Sequence, residues 1–224
     1  MSETNALIFG LNDFTYEIEK NISSHYKNVY IFKLAKDGEN SFDLSDDWDD
    51  LSNRFEIKDC VAFCVLEDMA ENIFLTISLR DSFKDLTIVS LANDKESSEK
   101  LSLAGATRVL PTTQTTANVI VEMLEKPIVT EVLHDILYEK SALEIAQIKI
   151  EDHSRFDGKY PSDIEWSRDH GIIVISVVHE DMSREFIYSS KAKHHIIKSG
   201  DIFVVVGFDN DIKEFKKLIG SRCE

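Results

Sequence analysis

The 224 residues are enough for one large domain or for a standard domain plus a small one, and they carry 25 basic against 41 acidic side chains, a net charge of −16. That field repels phosphate backbones and anionic lipid head groups, which argues against nucleic acid as a partner and against direct insertion into a bilayer. With 43% hydrophobic and 29% charged residues, 8 Gly, 3 Pro, strand-length apolar runs and no signal-peptide pattern at residues 1–4, the composition is that of a folded cytoplasmic protein.

Strand-length apolar runs alternate with helix-period segments through residue 125, the pattern of a mainly parallel sheet with crossover helices. The first strand is expected at 6–9 and its helix at 14–23, with Phe14, Ile18 and Ile22 on one stripe. A second strand is expected at 29–32, ending against Lys33, and the acidic run 46–50 suits the positive end of a helix dipole. The strand at 60–66 places Cys60 and Cys64 on one face as small buried hydrophobes. Its helix presents Ile73, Phe74, Ile77 and Phe83 as an apolar face. A strand at 86–91, a helix at 96–103 closed by Gly105, a strand at 107–110 and a helix at 118–124 follow.

Pro127 suits the first turn of a new helix, 127–138, whose stripe of Ile128, Val132, Leu133 and Ile136 implies a packing partner elsewhere. The period then changes to two. Strands are expected at 143–150, 172–178, 185–188 and 202–206, with a closing helix at 212–219. A capping box from Ser162 to Glu165 marks a short helix ending at Gly171. The fold class is therefore α/β. A Rossmann-like domain over 1–125 leads through a crossover helix over 126–140 to a small α+β lobe over 141–224.

The turn after the first strand, Gly10-Leu11-Asn12-Asp13-Phe14-Thr15, keeps one of the three glycines that a dinucleotide site uses for a tight turn, close pyrophosphate approach and helix packing. Asn12 and Thr15 stand at the second and third. Lys33 stands where an acid would hold a ribose hydroxyl. His194 and His195 with Glu180 and Asp181 could be imagined around a metal, but adjacent histidines on a strand point to opposite faces, so no metal site is expected.

The segments Leu66-Glu67-Asp68-Met69, Leu91-Ala92-Asn93-Asp94 and Leu103-Ala104-Gly105-Ala106-Thr107-Arg108 precede Lys126-Pro127, Leu143-Glu144, Gly158-Lys159, Ser199-Gly200-Asp201-Ile202 and Gly207. In this order and spacing they resemble an RCK domain, a regulator of potassium conductance with Trk-type (KTN) N- and C-terminal lobes. The resemblance implies a cytoplasmic gating domain or subunit of a potassium channel or uptake system, lying at the inner face of the membrane against its pore. It implies pairing into a homodimer and a higher-order gating ring, with the crossover helix at the interface.

It also implies a ligand site at Gly10, Asn12, Asp13, Phe14 and Thr15, with Lys33, Glu67 and Asp68 on the adenosine side and a nucleotide (NAD, NADH, ATP or ADP) as the cofactor class. Two other functions compete. A structural adaptor with a decayed nucleotide site fits the degenerate turn. A nucleotide-dependent oxidoreductase fits the first fold but lacks a nucleophile elbow, a Gly-rich loop with lysine, or any clustering of the seven histidines, so no enzyme is expected.

Overall fold

The computed structural model describes residues 4–220 except 46, 138–141, 153, 180, 182 and 187–195, and it falls into two compact units, 1–121 and 122–224. In the first unit, β1 (Asn5–Phe9), β2 (Val29–Leu34), β3 (Ser41–Phe42), β4 (Cys60–Cys64), β5 (Thr87–Ala92) and β6 (Arg108–Pro111) form one sheet in the order β3-β2-β1-β4-β5-β6. Every pairing is parallel, with Leu7 beside both Tyr30 and Ala62. The order is that of a doubly wound sheet, and it reverses between β1 and β4. The connecting helices are α1 (Asp13–Ile22), α2 (Asp49–Arg54), α3 (Met69–Ser82) and α4 (Lys95–Leu103), with α5 (Thr112–Glu125) after β6.

Strands buried on both faces need apolar runs, and Ala6, Leu7, Ile8 and Phe9 have no exposed surface. Phe9 stacks on Phe32 at 5.0 Å and meets the edges of Phe42 and Trp48. The Trp48 indole N–H donates to Ser78 (2.7 Å), so the ring is buried without stranding its donor. At the opposite end of the sheet the Arg80 guanidinium donates to the carbonyls of Phe83, Lys84, Leu86 and Gly105. A Cβ on Gly105 would lie 2.4 Å from Arg80 Cγ, and its φ of +98° favours glycine independently.

The second unit holds α6 (Pro127–Leu137), β7 (Leu143–Lys149), α7 (Trp166–His170), β8 (Ile172–Val178), β9 (Arg184–Phe186), β10 (Ile202–Phe208) and α8 (Asp209–Gly220). Its sheet is antiparallel in the order β7-β10-β8-β9. Alternate residues Phe203 and Val205 of β10 are buried, and with Phe156, Trp166 and Phe215 they make an aromatic core. Trp166 meets Phe203 edge-on at 5.4 Å and donates its indole N–H to the Pro161 carbonyl at 2.8 Å. Asp201, almost wholly buried, accepts from the Lys198 amide (2.9 Å) and lies 3.0 Å from His179 Nδ1, fixing the turn into β10.

Several expectations need correction. Strand β2 continues through Lys33 to Leu34, so Lys33 does not end the strand; its side chain runs toward Gly38, 3.5 Å from where a Cβ there would sit. Phe14 is half exposed while Thr15 is buried, because Thr15, in the first turn of α1, bonds its hydroxyl to the Gly10 carbonyl. On α3 the buried residues are Asn72, Leu75, Thr76 and Leu79, and Phe74 and Ile77 face outward. The last helix of the first unit starts at Thr112 rather than 118. Ser162 does not cap α7: Pro161–Asp163 form a separate 3-10 turn, Ile164 is extended, and Glu165 precedes α7 without a side-chain cap. The two-residue strand β3 carries too short a pattern to be read from sequence. The expected strand 185–188 is described to Phe186, and the His194-His195 pair and Glu180 lie outside the described residues.

Candidate functional site

Where the strand order reverses, the turns after β1 and β4 diverge and leave a cleft of about 320 Å3. Its walls are Asn12, Asp13 and Phe14 from the first turn, Val65, Leu66, Glu67 and Met69 from the second, and Leu91 and Asn93 at the end of β5. Of the expected site residues, Asn12, Asp13, Phe14 and Glu67 line this cleft together. Gly10 and Thr15 lie at the base of the first turn, as their bonds below show. Asp68 accepts from the Glu71 amide (2.9 Å) as the N-cap of α3. Lys33 and Asp68 are not among the lining residues.

The first turn is built tightly. Gly10 has φ +137° and donates its amide to the Phe32 carbonyl; a Cβ there would stand 2.9 Å from the Val65 carbonyl oxygen. The Thr15 hydroxyl donates to the Gly10 carbonyl (3.0 Å) and accepts from the Asn12 amide (3.3 Å). Asn12 Oδ1 accepts from the Thr15 amide (3.1 Å), which completes a reciprocal cap on α1. Asn12 Nδ2 reaches across the cleft floor and donates to the Val65 carbonyl at 2.6 Å.

The second turn depends on Asn72, which sequence reasoning missed. Its Oδ1 accepts from the Leu66 amide (3.1 Å), and its Nδ2 donates to the carbonyls of Cys64 (3.2 Å) and Leu91 (3.0 Å). One fully buried carboxamide thus ties the ends of β4 and β5. One turn further along α3, the Thr76 hydroxyl donates to the Asn72 carbonyl (2.8 Å) and lies 3.0 Å from the Ser90 hydroxyl. Burial pushes the Cys64 thiol up to about 12, so it stays protonated and behaves as a small hydrophobe; Cys60 is buried as well. Asn72 and Thr76, polar residues four apart on α3, were the available signal for this network, but their partners are not readable from spacing.

A nucleotide would need room for phosphate at the start of α1 and a positive or neutral surround. Asp13 and Glu67 are among the lining residues, and among the described residues no Lys, Arg or His is. The Asn12 side chain, held at both ends, lies over the glycine turn. These residues do not fit a phosphate. Among the described residues no three His, Cys, Asp or Glu side chains are grouped to hold a metal ion, and no helix is long and apolar enough to cross a membrane.

Two helices also expose apolar side chains. On α5, Val119, Ile120, Met123 and Leu124 are between 49% and 78% exposed. On α6, Ile128, Val129, Val132, Leu133 and Leu137 are between 45% and 75% exposed, and Ile136 is half-buried. Apolar surface on this scale marks a contact with another macromolecule more often than a solvated face.

Comparison with known proteins agrees with the architecture. Residues 48–112 match the family model of the TrkA-N domain, and residues 145–220 match that of the TrkA-C domain. Probable potassium channel protein 2 of Methanocaldococcus jannaschii is 25% identical over 159 residues, covering 68% of this chain and 45% of that protein. The chain thus spans less than half the length of that relative. The human SLO3 gating ring shares the fold at a TM-score of 0.64 and 9% identity, over 94% of this chain and 46% of that one. The GsuK RCK domain aligns over 99% of this chain and 48% of its own, at 17% identity and a TM-score of 0.45. Other GsuK structures have NAD or ADP bound.

Proposed function

Because this chain is an RCK-domain protein, with a TrkA-N part followed by a TrkA-C part, we propose that it regulates potassium flux as a cytoplasmic gating domain or subunit, without catalysis of its own. In this reading the chain pairs with a second copy, and the pairs build a ring beneath a membrane-embedded potassium pore. The ring sits at the inner face of the membrane.

The observation that carries the proposal is the exposed apolar stripe of α6, with Ile128, Val132 and Leu133 unburied on a helix that a single chain leaves uncovered. Covering the roughly half or more of each side chain that remains exposed favours association by about 1 kcal/mol apiece. The helix joins the two matched regions in sequence, so a change in pairing there can be passed from one lobe to the other. Any ligand that drives such a change must bind one arrangement better than the other. The division of labour proposed is a Rossmann-like domain over 1–125, a pairing helix over 126–140 and a C-terminal lobe over 141–224. Gly10, Asn12, Asp13, Phe14, Thr15 and Glu67 shape the cleft.

The test is potassium flux in the native cells with the coding region deleted and then restored. Altered uptake or efflux on deletion, returning on restoration, is the expected result. Flux unchanged by deletion would contradict the proposal. A second reading, an adaptor that assembles the pore complex without sensing a ligand, is favoured by a cleft lining that, among the described residues, holds two acids and no cation.

A further inference from the structure

The cleft at the switch point has the position of an anion site without its chemistry. A helix that starts directly after a strand and a glycine turn offers its first-turn amides to an anion, because those amides have no partner within the helix. In α1 the third of these, the Thr15 amide, is already taken by Asn12 Oδ1 at 3.1 Å. The other end of the same side chain is spent on the Val65 carbonyl at 2.6 Å, between the turns that an entering phosphate would have to separate.

We infer that Asn12 is a built-in occupant of this anion cradle, and that it is the residue that closes the cleft to nucleotide phosphates. The Asn12 carboxamide supplies the acceptor that a phosphate oxygen would supply to the helix. It also supplies a donor, which no phosphate oxygen can offer to the Val65 carbonyl. An entering phosphate would take over the Thr15 amide but leave the Val65 carbonyl without its donor, at a cost on the order of tenfold in affinity. Asp13 and Glu67 add like-charge repulsion at the rim. At the same time the Asn12 bridge holds the β1 and β4 turns together with no ligand present.

The inference rests on the switch-point cleft being this chain's counterpart of a nucleotide site, and it leaves open whether the chain regulates a pore. Two substitutions separate capping from occupancy. Asn12→Gly removes the side chain and puts a glycine at the second position of the turn. Asn12→Ser keeps an N-cap oxygen for the Thr15 amide but is too short to reach Val65. Thermal unfolding of the full chain is followed with and without saturating ADP. The wild type is expected to show no ADP-dependent shift. Asn12→Gly is expected to gain a rise of several degrees in its midpoint, and Asn12→Ser a smaller one in the same direction.

Should Asn12→Gly fail to fold, Asn12→Ser decides alone. An equal rise in the wild type, or no rise in any folded variant, would overturn the inference. Potassium flux in cells is read separately, so loss of the regulatory role would not be mistaken for a wrong assignment of Asn12.

Discussion

The two units solve the problem of fastening strand ends in different ways. In the parallel unit the strands all end on one edge, and carboxamides span the gaps: Asn72 joins β4 to β5, and Asn12 joins the β1 turn to the β4 turn. In the antiparallel unit β10 pairs with β7 from Ile202 to Phe208 and with β8 from Ile202 to Gly207, and aromatic packing of Phe156, Trp166, Phe203 and Phe215 holds the sheet to its helices. The lesson is that polar burial marks the edge where a doubly wound sheet opens into a cleft. In the second unit the aromatic core dominates, and the buried Asp201 is the polar fastening at the turn into β10. Substitutions that remove each kind of fastening should therefore differ in size and in reach.

The largest effect is expected in the second unit. Phe203→Ala leaves a cavity among Trp166 and its neighbours and should destabilise that unit by about 3–5 kcal/mol, measured by chemical denaturation. Amide exchange should accelerate across the strands of the antiparallel sheet. Exchange that accelerates only near residue 203 would break the comparison.

Asn72→Ala should destabilise the first unit by a smaller amount, about 2–4 kcal/mol, because it strands the Leu66 amide and the carbonyls of Cys64 and Leu91. Faster amide exchange is expected around residues 64–66 and 91–92, with the antiparallel sheet unchanged. A loss below about 0.5 kcal/mol would mean that water replaces the carboxamide without penalty.

The smallest effect sharpens the account of the aromatic lobe. His170 lies against Phe156 and Phe215, and burial, together with the nearby Arg155 charge, lowers its affinity for a proton; Asp169 opposes this weakly. A depressed histidine binds fewer protons folded than unfolded, so its contribution is fully present above the unfolded value of 6.5 and is lost as pH falls below it. The second unit should therefore lose stability between pH 6.5 and its lower folded value, and His170→Gln should flatten that slope. An identical slope in the variant would remove His170 from the account.

Much of the fold was legible because most strands are apolar runs long enough to stand out, such as Ala6-Leu7-Ile8-Phe9 and the residues of β8. The turn at Gly10 and the loss of its two companion glycines were also legible. Helix faces near the cleft were not. Hydrophobic periodicity placed Phe14, Phe74 and Ile77 inward, yet α1 buries Thr15 and α3 buries Asn72 and Thr76. Those polar side chains are inside because they satisfy strand-end backbone groups, and a hydrophobic pattern cannot weigh a hydrogen bond to a distant residue. The same limit hid the bond between Asn12 and Val65, which lie 53 positions apart.

In the second unit, the α6 stripe is the surface through which pairing is proposed to control potassium flux. The most direct measurement is potassium flux in native cells carrying Val132→Glu and Leu133→Glu together, alongside light scattering of the purified variant. Both side chains are already about half exposed, so the single chain should stay folded while a charged pair in a buried interface disfavours association. The account expects a wild type of at least twice the 25.6 kDa chain mass, a variant at the mass of one chain, and flux matching the deletion. A folded, monomeric variant that supports wild-type flux would contradict it.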